Sequence, residues 1–382
     1  MNRAGVICIF LALVLGLPLL GVLWAGQPLG RYLEFPPRTN YVQHESFSWP
    51  VFIALGTLIV LVVGPILLRI ASTNLRPLSP LTQRSVLNTQ HRSSSFHWWG
   101  WIGIGWTSLW WVVAWTRFPG LAAVQEHTFT PLWLGYILIV NAATFARTGR
   151  CMMLHRPRYF LSLFPLSAGF WWLFEYLNRF VQNWSYVGVV ELSSIEYFLR
   201  ATLPFSTVLP AVLGTAELLM SYPAVSSGLN RFKPIQLLSM KLASWSFLIM
   251  SCFGLFGMGL WPNYLFSLVW VGPLLLAISL QELTGRPTVL PSLAQGDWRG
   301  VWIPALAALI CGFFWELWNW KSLAHWEYAI PFVHRFQLFE MPLLGYAGYL
   351  PFGLECAAIA DLYLSRQVSE KQDNPVMNNG HY

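Results

Sequence analysis

Charge is what this sequence has least of. Only 10% of its 382 residues are Asp, Glu, Lys or Arg, against about 25% in a typical soluble domain, which excludes a water-exposed surface over most of the chain. Cysteine is equally spare: five residues, with no C-x-x-C spacing. Cys8, Cys252, Cys311 and Cys356 sit in apolar runs and Cys151 beside a basic loop, so a disulfide framework and a zinc or redox site are excluded. The eight histidines fall in loops, tails or the ends of apolar runs, so no two face each other as b-type haem ligation needs. His325, His334 and Glu327 share a loop but lack ligand spacing. Gly-rich phosphate loops, nucleophile elbows and H-E-x-x-H are missing. No cofactor and no metal is expected.

What is abundant is apolar: 55% hydrophobic residues, among them 22 Trp. The net charge of +7 does not point to nucleic acid, because the basic residues lie between apolar runs and not in a patch. The runs predict an all-α integral membrane protein of about ten spans: 4–24, 51–70, 97–115, 131–146, 159–180, 199–220, 235–260, 264–280, 301–318 and 341–364. The first is long for a signal h-region and is followed by a poor cleavage site, so it reads as an uncleaved span. With the N-terminus inside, sixteen Lys and Arg fall on the inner side and seven on the outer. That asymmetry predicts a bacterial inner-membrane protein with both ends in the cytoplasm.

One stretch is written twice. Residues 169–186 read GFWWLFEYLNRFVQNWSY and 312–328 read GFFWELWNWKSLAHWEY. Each copy has Glu, Asn three residues on, then Trp-x-Tyr. Thr-Gly-Arg (148–150 and 284–286) precedes each copy, and a Glu (196 and 340) opens the run that follows. Landmarks recurring in order about 140 residues apart predict an internal duplication. The units are 131–220 (three spans) and 264–366 (three spans), joined by a connecting span in 221–263. Residues 1–130 are an N-terminal addition of three spans and 367–382 a polar tail. Four spans separate equivalent positions, so the two units have the same sense.

Positions i and i+3 share a helix face, so Glu175 with Asn178, and Glu316 with Asn319, stand side by side in apolar helices where polar groups are costly. Glu196 and Glu340 approach the same outer depth, and the outer loops supply Trp184, Tyr186, Trp326 and Tyr328. The expectation is one outer-leaflet site: Glu175, Glu316, Glu196 and Glu340 as acid/base groups, Asn178, Asn319 and the four aromatics as substrate walls. An acid held neutral beside Trp and Tyr faces could protonate a double bond and shelter a cation. The bland alternative is interhelical hydrogen bonding with an interfacial aromatic belt. Glu217 and Glu355, nearer the inner side, read equally as a second polar layer or as packing groups.

Trp318-Asn319, Trp326-Glu327-Tyr328 and Phe339-Glu340, and likewise Leu177-Asn178, Trp184-Ser185-Tyr186 and Ile195-Glu196, stand in the order of a known pattern. Over 131–364 the chain resembles the membrane domain of heterodimeric and fused lycopene cyclases of carotenoid biosynthesis, with their repeated three-span unit. Asn stands where that family has Asp, and its Pro-x-Glu-Glu doublet is not kept. The resemblance implies an enzyme for a lipid-soluble, isoprenoid-like substrate. Two other readings stay open: a transporter or channel with a carboxyl-lined path, and a non-catalytic subunit of a membrane complex. The partner is a membrane lipid or lipid-soluble small molecule, not nucleic acid, and the oligomeric state is not fixed by the sequence.

Overall fold

The computed structural model describes residues 2–75, 95–187, 192–236 and 239–364. Of the regions read from the sequence, positions 76–94 of the basic inner loop and the polar tail lie outside them. The fold is all-α and polytopic. Its long helices are α1 (Arg3–Trp24), α2 (Trp49–Asn74), α3 (Trp98–Trp115), α4 (Phe129–Thr148), α5 (Pro157–Val181), α6 (Ser194–Phe205), α7 (Val208–Met220), α8 (Met240–Met258), α9 (Leu268–Leu283), α10 (Arg299–Asn319) and α11 (Tyr349–Leu364). Among the described residues, eight helical segments are long and apolar enough to cross a membrane, counting Ser194–Met220 and Leu343–Leu364 each as one. The two further predicted spans coincide with α9, which is 16 residues long, and with α3, whose 18 residues are rich in Trp.

The sixth predicted span is therefore two helices, broken after Phe205 next to Pro204. A break in a lipid-embedded helix frees backbone groups that water cannot satisfy. Buried Ser167 of α5 bridges it: its hydroxyl donates to Phe205 O (2.6 Å) and accepts from Leu209 N (3.0 Å). The tenth predicted span begins not as helix but as a short strand, Met341–Pro342, and a 3-10 turn, Leu343–Gly348.

The core runs through α4, α5, α7, α9, α10 and α11. Tight approach of α10 and α11 depends on two glycines. A Cβ on Gly353 would lie 2.0 Å from Pro304 O, and one on Gly312 2.4 Å from the Tyr349 ring. Gly312 thereby lets Tyr349 lie flat against the helix that carries Glu316.

Helix α2 is packed differently. Along its length only Ile66 is buried, and it is held at its ends. At its N-terminal end, Phe47, Trp49, Phe52 and Phe336 cluster ring against ring and Arg335 lies over the Phe47 and Trp49 rings. At its C-terminal end, Arg69 donates to Gly228 O (3.2 Å) and Arg231 O (3.1 Å), and Asn74 to Ala224 O (2.9 Å).

Candidate functional site

The loops after the two motif helices fold into short strands, β1 (Trp184–Val187) and β2 (His325–Tyr328), and these pair with each other. The pairing is antiparallel and reciprocal: Trp184 faces Tyr328, Tyr186 faces Trp326, and Ser185 faces Glu327 at the centre. An antiparallel ladder alternates, so every second residue turns its N–H and C=O away from the partner strand. Ala329 N donating to Asn183 O (2.8 Å) fixes the inward phase, which leaves Trp184 and Trp326 outward.

The motif asparagines take up those outward groups. Asn319 Nδ2 donates to Trp326 O (2.7 Å) and Trp326 N to Asn319 Oδ1 (2.8 Å). Asn178 Nδ2 donates to Trp184 O (2.8 Å), and Trp184 N to Asn178 Oδ1 at 3.4 Å. Both asparagines thus hold the ribbon by its backbone and anchor it to the ends of α5 and α10.

The glutamates hold the aromatic side chains of the same ribbon. Glu175 Oε1 accepts from Tyr186 OH (2.6 Å), Trp184 Nε1 (3.1 Å) and Trp171 Nε1 (3.2 Å). Glu316 Oε1 accepts from Tyr349 OH (2.6 Å) and Tyr328 OH (2.7 Å), and Tyr328 in turn accepts from Trp326 Nε1 (2.8 Å). Glu316 is 0% exposed and its Oε2 has no partner among the described residues. Tyr186 and Tyr328 lie outside the spanning helices. Burial first, and then the adjoining carboxyl, pushes both hydroxyls well above the usual tyrosine range, so they stay protonated.

Against the ribbon lies a cavity of about 490 Å³, within the usual size of small-molecule sites. Its wall is largely apolar and about one third aromatic, including Trp171, Trp184, Tyr186, Trp326, Tyr328 and Tyr349. Two stacked pairs frame it: Trp184 on Trp270, centroids 5.7 Å apart, and Trp315 on Tyr349 at 5.8 Å. Glu175 and Glu316 do not line it. Each carboxyl stands one hydrogen bond behind a wall hydroxyl.

Of the ten residues singled out in the sequence, eight form these two clusters: Glu175, Asn178, Trp184 and Tyr186, and Glu316, Asn319, Trp326 and Tyr328. Glu196 is placed elsewhere. It is exposed and closes a capping box at the start of α6, Oε2 accepting from Ser193 N (3.0 Å) and Ser193 Oγ (2.7 Å). Glu340 is half-buried in the turn between β3 (Gln337–Leu338) and β4 (Met341–Pro342), close enough to bias Glu316 electrostatically. It makes no hydrogen bond to Glu316 among the described residues. Sequence reasoning missed Trp171 and Tyr349. Trp171 lies four residues before Glu175, a spacing that puts both on one helix face; Tyr349 had no local signal.

The chain has no match among protein-family models, curated proteins or solved structures. The site is therefore read from its own geometry. Among the described residues no group of three or more His, Cys, Asp and Glu could hold a metal. His325 and Glu327 approach only as a pair, at 3.7 Å. Glu217 pairs with Arg156 at 3.2 Å and accepts from Met152 N (2.8 Å). Glu355 is 0% exposed with both oxygens unpartnered among the described residues, and it is not in the cavity wall.

What the arrangement can do follows from donor direction. Tyr186 and Tyr328 line the cavity and give their protons toward a carboxyl, and the Tyr328 oxygen also accepts from Trp326 Nε1. A substrate proton taken by such a phenol oxygen would move on as the tyrosine passes its own to Glu Oε1. Reversed, the same relay delivers a proton.

Proposed function

We propose that the chain is an enzyme of the bacterial inner membrane, with both ends inside, that performs acid–base chemistry on a lipid-soluble, isoprenoid-like substrate held between its two duplicated units. The observation that carries this reading is the pair of carboxyl-backed tyrosines in one aromatic cavity, Tyr186 on Glu175 and Tyr328 on Glu316. Tyr186, Tyr328 and Tyr349 are the groups that touch substrate, Glu175 and Glu316 hold the relayed proton, and the tryptophans shelter positive charge as it develops. Asn178 and Asn319 position the ribbon. The duplication is favoured by the reciprocal register, since two equivalent segments pair this way only across a two-fold axis.

An apolar, aromatic wall favours this reading over transport, for which a polar path would be expected. The cyclase resemblance supports the substrate class. The test is lipid extraction and mass spectrometry of cells with and without the protein, and with Tyr328→Phe. A lipid species that is converted by the wild type and left unconverted by the variant is expected. Identical lipid profiles with and without the protein would overturn the reading.

A further inference from the structure

The cavity wall is chemically lopsided. On the side of α6 it carries the one ion pair in its lining among the described residues, Arg200 Nη1 to Glu126 Oε2 at 2.9 Å, with His127 next to Glu126 in the chain. Helix α6 builds this side by its period: Tyr197, Arg200, Ala201 and Pro204 line the cavity while Ile195, Leu199 and Leu203 are exposed. The lining that α2 and Leu344 of the 3-10 turn contribute is aliphatic: Leu55, Leu58, Ile59 and Leu344. Ile59 is ten residues beyond Trp49, so about 15 Å along the axis and near the bilayer midplane. Helix α2 packs loosely here, with Leu58 56% exposed.

We propose that the cavity takes an amphipathic lipid in one orientation, with an uncharged oxygen-bearing end (hydroxyl or carbonyl) on Arg200 and an apolar chain running to Leu55, Leu58 and Ile59. Arg200 spends one donor on Glu126 among the described residues, which leaves guanidinium N–H groups for an acceptor. The pair sums to zero charge. An anionic head would have to compete with Glu126 for Arg200, a cation would meet Arg200, and a hydrocarbon would leave the pair desolvated with nothing gained. A neutral acceptor avoids all three costs. This names the substrate class of the site and rests on the reading of the cavity as a substrate chamber, but not on any turnover.

The test uses the full chain in nanodiscs and two 16-carbon alcohols, one bearing a photoreactive diazirine beside the hydroxyl and the other at the far end, with labelled residues mapped by mass spectrometry. The near probe should label Tyr197, Ala201 or His127, and the far probe Leu55, Leu58, Ile59 or Leu344. Excess hexadecanol should compete for both, and hexadecane should compete at least tenfold less well. Arg200→Leu should weaken competition by hexadecanol about tenfold, the value of one hydrogen bond to a charged group. If that variant does not fold, Leu58→Trp, at an exposed position, should shift the preference toward a 12-carbon alcohol. Both probes labelling the same residues, hexadecane competing equally, or unchanged affinity in Arg200→Leu would overturn the proposal. Oriented, competed labelling without any lipid conversion in cells would instead sink the acid–base reading and leave this one standing.

Discussion

Replacing Asn319 by Ala tests whether the Glu-x-x-Asn motif exists to hold the ribbon. The substitution removes two short hydrogen bonds, 2.7 and 2.8 Å, and strands the N–H and C=O of Trp326 in a half-buried strand. Two neutral bonds at about 0.5–1.5 kcal/mol each come to about 1–3, and the freed groups of half-buried Trp326 are partly wetted and add only about 1 more, so the local cost should be about 2–4 kcal/mol. At Asn178 one of the two bonds is 3.4 Å, and the cost should be smaller. Since about 1.4 kcal/mol is tenfold, amide hydrogen exchange in peptides covering β1 and β2 should accelerate at least about 30-fold in Asn319→Ala and less in Asn178→Ala. Exchange in the transmembrane core should stay unchanged, because the ribbon can open locally. Asn319→Asp keeps the acceptor for Trp326 N–H but loses the donor to Trp326 O, and should fall between wild type and Ala. Ribbon exchange within threefold of wild type in Asn319→Ala would refute the clamp.

Other consequences are as direct. Gln at 316 still accepts from Tyr328 and Tyr349 but puts an amide where Glu316 Oε2 has no partner; Gln at 175 does not meet that penalty. Glu316→Gln should therefore lower thermal stability more than Glu175→Gln, by about 1–3 kcal/mol, and each should lower any lipid conversion about 10²-fold or more by removing the proton carrier. Equal turnover in wild type and both variants would return the glutamates to a structural role. His44 donates from Nε2 to Val181 O at 3.0 Å and is held below its usual 6.5 by burial, with His334 adding to the depression. A base depressed in the fold leaves the unfolded state holding more protons, so attachment of the 41–48 loop should weaken as pH drops below about 6.5. Limited proteolysis at pH 5 should cut this loop faster than at pH 7.5, and His44→Gln should abolish the difference. Reporters placed after Arg156 should read cytoplasm and those beside His325 the outside; an outside reading in the loop 284–297 would refute the same-sense units.

The spans were legible because a run of about 20 apolar residues has few other uses. The Glu–Asn pairs were legible because i, i+3 spacing is local. The ribbon was not, since β1 and β2 pair across about 140 residues and two-stranded pairing leaves no periodic mark in four-residue segments. Asn178 and Asn319 therefore read as substrate groups although they bind backbone. Glu196 carried a readable signal, Ser193-x-x-Glu196, the capping-box pattern of a helix start. Its place at the head of an apolar run, in parallel with Glu340, drew it into the site instead. Tyr349 was hidden for the reason Tyr328 was visible: the motif contains one and merely packs against the other.

Helix α2 has 26 residues and so a length of about 39 Å, against a hydrocarbon core of about 30 Å. A helix longer than the core tilts to fit, and it tilts more as the bilayer thins. Between its fastened ends α2 is packed most loosely over 57–62, and Leu55, Leu58 and Ile59 there and just before it line the cavity. The helix whose length is set against the thickness of the membrane is thus also the helix that supplies Leu55, Leu58 and Ile59 to the chamber.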